Sequence, residues 1–395
     1  MRSPANCGLR LLILVAVMIQ SGGESSNIEQ SLRAALTKNQ RVGLPVNGSP
    51  GIFQSWRLCP ACVVTSKTAI PGEETMKTLI TDYTFSDVKI EKELLDAAGV
   101  SLQASRACPT LDQLCEFVAD ADAVITQFAP ITAPVIEQMQ RARVIVRYGI
   151  GVDNVDLNAA AACGIPVCNV PDYCIDEVAD HTLAFILALT RQVVSNAQLI
   201  QSGGWGLAGG LQRMTALRGR SAGLVGFGRI GREVAHRLLA FGCSVQVYDP
   251  VVSDDEVFEQ GCTPLSLSDV LKNSDIVSLH CPSTEQTRGM LNAETLQSMR
   301  YGALLINVAR GDLVDTAALA DCLETGHLAG AALDVFSPEP LPAEHRLRTL
   351  PNVIAASHIA SASETAVRRL RETAVQIAIQ ALQGERPDNI VNGVK

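Results

Sequence analysis

The chain reads as an α/β protein built on parallel sheets, and three observations predict this. Short apolar runs alternate with helical patterns from residue 77 onward, an alternation that builds parallel sheets covered by helices. The stretch from Ser221 to Pro250 sets strand, glycine turn, helix, strand and acid in one order. Polar residues recur just behind the apolar runs, at the strand ends where open α/β sheets bind ligands.

In chain order, strands are expected at Thr78–Thr81, Val100–Ala104, Ala123–Thr126, Val144–Arg147 and Pro166–Asn169. Helical patterns such as Ile90–Ala98 and Leu111–Ala119 separate them. Asp176–Gln201 has the pattern of one long helix, buried at Leu183–Leu189, with His181 as a packed core residue. Gly203–Arg218 is glycine-rich, carries Trp205 and reads as a linker. Further strands follow at Ile276–His280, Ala303–Asn307, Gly330–Asp334 and Val353–Ala356. A last helix starts at the capping box Ser361-x-x-Glu364. It buries Val367, Leu370, Ala374, Ala378 and Ala381 and stops at Gly384.

The glycine unit carries the first chemistry. Ala222–Val225 is a buried strand, followed by Gly226-Phe227-Gly228-Arg229-Ile230-Gly231. The helix behind it shows Ile230, Val234, Leu238 and Phe241 on one face and ends at Gly242. Val245–Tyr248 then leads to Asp249, eighteen residues past Gly231. Gly226 permits a tight turn, Gly228 lets a pyrophosphate approach the backbone, and Gly231 allows close helix–strand packing. Free N–H groups at the helix start suit an anion. Asp249 stands where an acid bonds ribose hydroxyls. Its charge repels a 2′-phosphate and no basic residue directly follows, which favours NAD over NADP.

Composition excludes several classes. With 395 residues, 47% hydrophobic and 18% charged, the chain holds two ordinary domains rather than a disordered tail. The net charge of −9 and the lack of basic runs argue against nucleic acid as a direct partner. Residues 1–75 differ from the rest, with a net charge of +3 against −12. The apolar run Leu11–Ile19 is too short to span a bilayer but fits a secretory h-region. Two readings compete: export, or translation from Met76 with a wrongly extended start. Twelve cysteines without a framework spacing favour the second and a cytoplasmic location. Cys59 and Cys62 form a CxxC without a second ligand pair and are read as inert, with no metal site expected.

Three ionisable residues follow successive strands: Arg310, Glu339 and His358. Hydride exchange with a 2-hydroxy acid needs a cation for the carboxylate, an acid/base near neutrality and a carboxylate to orient it. Arg, His and Glu supply these in that order. Asp334, at its strand end, has the chemistry to bond a nicotinamide carboxamide. The loop Tyr148-Gly149-Ile150-Gly151 after the fourth strand can bind a carboxylate through its N–H groups, or be a plain turn.

These motifs together resemble the D-isomer-specific 2-hydroxyacid dehydrogenase family. GFGRIG to Asp249, INVARGDLVD, LDVFSPEP and SHIAS carry the match, which covers essentially residues 76–395. The resemblance implies catalysis by Arg310, Glu339 and His358. It implies cofactor contacts at Arg229, Ile230, Asp249, Val308, Ala309, Arg310 and Asp334, and a substrate loop at Tyr148–Gly151. VRYGIGVDNVD and VCNVPDYCIDEVADHT are most similar to dehydrogenases related to C-terminal-binding protein, with D-3-phosphoglycerate dehydrogenases next. The implied fold has two Rossmann-like or flavodoxin-like parallel-sheet domains. A discontinuous substrate domain, 76–178 completed by 360–395, brackets an NAD-binding domain at 179–359. A homodimer through the cofactor domain is usual for such proteins.

The expected activity is NAD-dependent interconversion of a D-2-hydroxy acid and its 2-oxo acid. The alternatives are a phosphoglycerate dehydrogenase of serine synthesis, or an NAD(H)-sensing scaffold that binds proteins. One departure bears on the pocket. Where corepressor-like members carry an aromatic residue three positions past the catalytic His, this chain has Ser361, then Ala362. That implies a more polar or roomier pocket, without committing it to an apolar substrate side chain.

Overall fold

The computed structural model describes residues 75–106 and 110–394. The expected signal-like segment, the Met76 boundary's upstream side and the Cys59/Cys62 pair lie outside the described residues.

Two all-parallel sheets organise the chain. The first contains β1 (Lys77–Ile80), β2 (Ser101–Ala104), β3 (Ala123–Thr126), β4 (Ile145–Arg147) and β5 (Val167–Cys168), in the order β2-β1-β3-β4-β5. The second contains β6 (Ser221–Val225), β7 (Ser244–Tyr248), β8 (Thr263–Pro264), β9 (Ile276–Leu279), β10 (Ala303–Asn307), β11 (Leu328–Leu333) and β12 (Val353–Ala355). Their order is β12-β11-β10-β9-β6-β7-β8, so the chain reverses direction across the sheet between β6 and β9. Such a switch point opens a crevice at the carboxyl ends of the strands.

Register decides what meets in that crevice. Val225 pairs with Tyr248 and with Leu279, Asn307 with Leu279 and Leu333, and Leu333 with Ala355. These residues form one transverse row. The residues after each of them therefore emerge along one edge: Gly226, Asp249, His280, the Val308–Arg310 loop, Asp334 and Ser357–His358.

The apolar pattern explains the layers. Strands buried on both faces, such as Ala123–Thr126 and Ile276–Leu279, have no polar alternation. The long helix Glu364–Leu382 returns to the first sheet and shares its core, joining Leu370, Ala374, Ala378 and Leu382 to Ile80, Ile125 and Val146. Residues beyond it edge β5, where the Val391 N–H donates to the Val167 carbonyl at 2.8 Å. The helix Ile175–Thr190 links the two sheets. Val178 packs with the first core, whereas Ala179, Leu183 and Ile186 pack with the second.

Several expectations are corrected. Asp176–Gln201 is not one helix: it breaks into Ile175–Thr190 and Val193–Gln201, bent by 63°. Gln192 takes a left-handed φ of 54°, and the Thr190 carbonyl turns to the Thr215 N–H instead of continuing the ladder. Among the described residues no single helix is long and apolar enough to cross a membrane. The last helix is capped by Ser363 rather than Ser361, its Oγ accepting from the Ala366 N–H at 2.9 Å. Phe241, placed on the buried face, is 43% exposed because the helix ends at Ala240 and the ring leaves the stripe. Short helices such as Leu157–Ala162, Leu267–Asn273 and Ala293–Ser298 were not distinguished in the sequence pattern.

Candidate active site

The glycine turn follows β6 directly. Gly226 has φ +100°, and a Cβ there would lie 2.6 Å from the His280 carbonyl carbon and the Cys281 nitrogen. A Cβ on Gly231 would meet the Gly226 carbonyl at 2.4 Å, whereas Gly228 faces open space. The turn is thus closed where the strands meet and open where an anion approaches, at the start of the helix Arg229–Ala240. Phe227 is fully buried and its N–H donates to Asp249 Oδ2 at 2.7 Å. Asp249 Oδ1 accepts from the Val251 and Val252 N–H groups. A carboxylate offers about four acceptor positions, so Asp249 shapes its loop and retains acceptor capacity for a hydroxyl pair. Arg229 stands exposed at the first helical position, and Ile230 and Val308 pack against both sheet cores. These residues fit a dinucleotide.

Arg310, Glu339 and His358 converge. His358 Nδ1 lies 2.9 Å from Glu339 Oε2, and Glu339 Oε1 accepts from the Phe336 N–H at 2.8 Å. Both side chains are about one-third exposed and line a cleft of about 270 Å³ together with Arg310, Arg147 and Asp153. Burial raises the Glu339 carboxyl, but the bonds from His358 and Phe336 outweigh it and hold the group below the usual carboxylate value. His358 itself has a left-handed φ of 57°. Asp334, 1% exposed, holds that conformation: its carbonyl accepts from the His358 N–H, and its carboxylate accepts from the Ile359 and Ala360 N–H groups. The expected carboxamide-binding residue thus has both carboxylate oxygens engaged by the loop that carries the imidazole.

Arg310 is held from both lobes. Its Nε donates to Asp153 Oδ2 at 2.7 Å and its Nη1 to the Ala309 carbonyl at 2.7 Å. Its Nη2 lies where a Cβ on Gly151 would be, at 1.5 Å, so only glycine lets the guanidinium sit over that loop. Asn307, 1% exposed, brackets the same turn by donating to the Arg310 carbonyl and accepting from the Ala309 N–H.

Of the expected substrate loop, Gly151 meets Arg310, but Tyr148 turns inward. It is 2% exposed, and its hydroxyl donates to the buried Glu91 at 3.0 Å. Burial, then the Glu91 charge, pushes that phenol well above its usual value, so it stays protonated. Gly149 lies beneath the Arg147 guanidinium, and Ile150 packs on the core of the first sheet.

Arg147 was missed. It ends β4, lines the cleft, and its Nε is buried without a hydrogen-bond partner among the described residues. Burial pulls it below the usual arginine value, with Tyr173 and the Asp153 and Asp82 carboxylates opposing that shift and Arg310 adding to it. The available signal was its place, a cation at the end of a parallel strand just before a glycine loop. Asp82 was missed too. Buried after β1, it accepts from the Gln127, Phe128 and Ala129 N–H groups and fixes the loop that puts Phe128 at the cleft mouth.

The chain is similar to known proteins. Residues 183–360 match the family described as D-isomer specific 2-hydroxyacid dehydrogenase, NAD binding domain. A glyoxylate reductase of Korarchaeum cryptofilum is 38% identical over 296 residues, 74% of this chain and 89% of the relative. A D-3-phosphoglycerate dehydrogenase of Bacillus subtilis is 34% identical over 291 residues, 73% of this chain but 54% of that protein. The structure of D-lactate dehydrogenase from Aquifex aeolicus, complexed with NAD and lactic acid, superposes with a TM-score of 0.72 at 30% identity, covering 80% of this chain and 99% of the other. With the nucleotide cradle, the Glu–His pair and the Arg310 clamp along one sheet edge, the chain belongs to the D-isomer-specific 2-hydroxyacid dehydrogenase family and is an NAD-dependent oxidoreductase that interconverts hydroxy and oxo acids.

Proposed function

We propose that Arg310 and Arg147 together hold the carboxylate of a 2-oxo acid, that His358 exchanges a proton with its C2 oxygen, and that Glu339 orients the imidazole. The carrying observation is the 2.9 Å contact between His358 Nδ1 and Glu339 Oε2. That bond commits Nδ1 to the carboxylate and leaves Nε2 as the reacting nitrogen. Bound NAD(H) supplies the hydride in reduction and accepts it in oxidation. In reduction, His358 Nε2 gives its proton to the carbonyl oxygen as the hydroxyl forms, and Glu339 stabilises the imidazolium beforehand. In oxidation the proton returns to Nε2. Two guanidiniums on one carboxylate fix its orientation and with it the position of C2, and Asp153 keeps Arg310 from swinging out. In this reading 76–178 with 360–395 act as the substrate domain, and 179–359 carry the cofactor.

His358→Ala is expected to lower kcat by about 10²–10⁴-fold while NADH binding, followed by fluorescence, is kept. Unchanged turnover would sink the mechanism. A phosphoglycerate dehydrogenase is the second reading, because Arg348, bonded among the described residues only to the Pro342 and Leu341 carbonyls, suits a distal phosphate. The chain spans about half the length of the relatives so named.

We also propose a homodimer, supported by the apolar side chains exposed on Val193–Gln201 and the segment behind it, above all Trp205 at 93% and Leu211 at 69%. A cytoplasmic site is proposed on the free thiols from Cys115 to Cys322, of which Cys168 is pushed up to about 12 by burial and then by Asp388. Sequencing the N-terminus of the native protein tests it: a start near Met76 agrees, and a cleaved end near Gly23 opposes.

A further inference from the structure

Beyond the polar cleft lies a second space. A chamber of about 1200 Å³ shares Gln127, Phe128, Arg147, Glu339 and His358 with the cleft, so these residues form the neck between them. Its far wall is apolar: Phe85, Tyr173, Ile359, Val367 and Leu370 line it. Arg371 also reaches it, its charge matched by Glu91 through bonds of 2.7 and 2.6 Å, and Arg348 reaches it with its Nε and Nη2 donating to the Pro342 and Leu341 carbonyls. Ser361 and Ala362 line the chamber as well. The small side chains at these positions leave the way from His358 to Val367 and Leu370 open.

We propose that this chamber holds the side chain of the substrate, and that the substrate class is 2-oxo acids bearing an aryl or branched alkyl group on C3. The proposal rests on the reading of Arg310, Arg147 and His358 given above. With the carboxylate and the C2 oxygen anchored at the neck, the substituent on C2 extends into the chamber, where Phe85, Ile359, Val367 and Leu370 offer apolar surface. Glyoxylate has no side chain to place there. Spaces of about 300–1,000 Å³ enclose ligands far larger than a two-carbon acid, and apolar wall area rewards only a group that covers it.

The test compares NADH-dependent reduction of phenylpyruvate, 4-methyl-2-oxopentanoate, glyoxylate and 3-phosphohydroxypyruvate by the full chain. The expected kcat/KM for phenylpyruvate or the branched acid is at least tenfold above that for glyoxylate. Calorimetric binding of D-phenyllactate is expected at least tenfold tighter than that of glycolate. In Leu370→Trp the phenylpyruvate-to-glyoxylate ratio of kcat/KM is expected to fall tenfold or more. Ser361→Phe narrows the same chamber at a half-buried site and keeps the test open if the first variant does not fold. Equal or better use of glyoxylate, or an unmoved ratio in both variants, overturns the proposal and leaves the mechanism standing. Preference for 3-phosphohydroxypyruvate overturns it in favour of an anionic tail at Arg348. Failure to reduce any of the four acids, with NADH still bound, overturns the mechanism and this inference together.

Discussion

At the scale of single residues, one buried group outside the reaction has a measurable effect. His280 follows β9 beneath the glycine turn, with Nε2 2.9 Å from Ser278 Oγ and Nδ1 unpartnered among the described residues. Burial pushes it down to about 3 from an ordinary value of 6.5. The unfolded chain therefore takes up this proton first as pH falls. The associated stability is complete above about pH 6.5 and is lost progressively toward pH 3. From pH 7 to 5 the loss from this group is about 2 kcal/mol. Denaturant titrations at the two values are expected to show a smaller loss in His280→Gln than in the native chain, and equal losses would refute the assignment. The same scale shows what a sequence hides. Arg310, Glu339 and His358 were legible because each stands in a motif at a strand end. Arg147 and Asp82 were not, since their significance depends on which loops lie across from them. Asp334 was legible at its strand end, but its hold on the His358 loop was not: bonds from N–H groups 25 and 26 positions away cannot be read from spacing.

Among elements, strands were the most legible part, because residues buried on both faces leave continuous apolar runs. Helix ends were less so. Ser361 and Ser363 both precede plausible starts, and only the backbone angles decide that Ser363 turns its hydroxyl to the Ala366 N–H. The break at Gln192 was invisible, since apolar residues continue on both sides of it. Its product is the short helix Val193–Gln201, with no buried residue, followed by the exposed Trp205 and Leu207. A helix with no buried residue, next to exposed apolar side chains, supports the proposed dimer interface. Trp205→Glu with Leu211→Glu is expected to convert a dimer to monomer in light scattering, whereas a mass unchanged from the native protein counts against that interface.

For the whole molecule, the row of register partners from Val225 to Ala355 brings one edge of the second sheet to the loops of the first. The two parallel-sheet lobes were inferable from alternation and resemblance. The contact between lobes was not, because it rests on side chains such as Asp153 and Arg310, 157 positions apart. The chain crosses between the two cores twice, once between Val178 and Ala179 and once close to Ala360, two residues after His358. A joint so placed ties the imidazole to both halves at once: the backbone that leaves the second sheet at Ala355 carries His358 and is anchored in the first core two residues later, at Ala360.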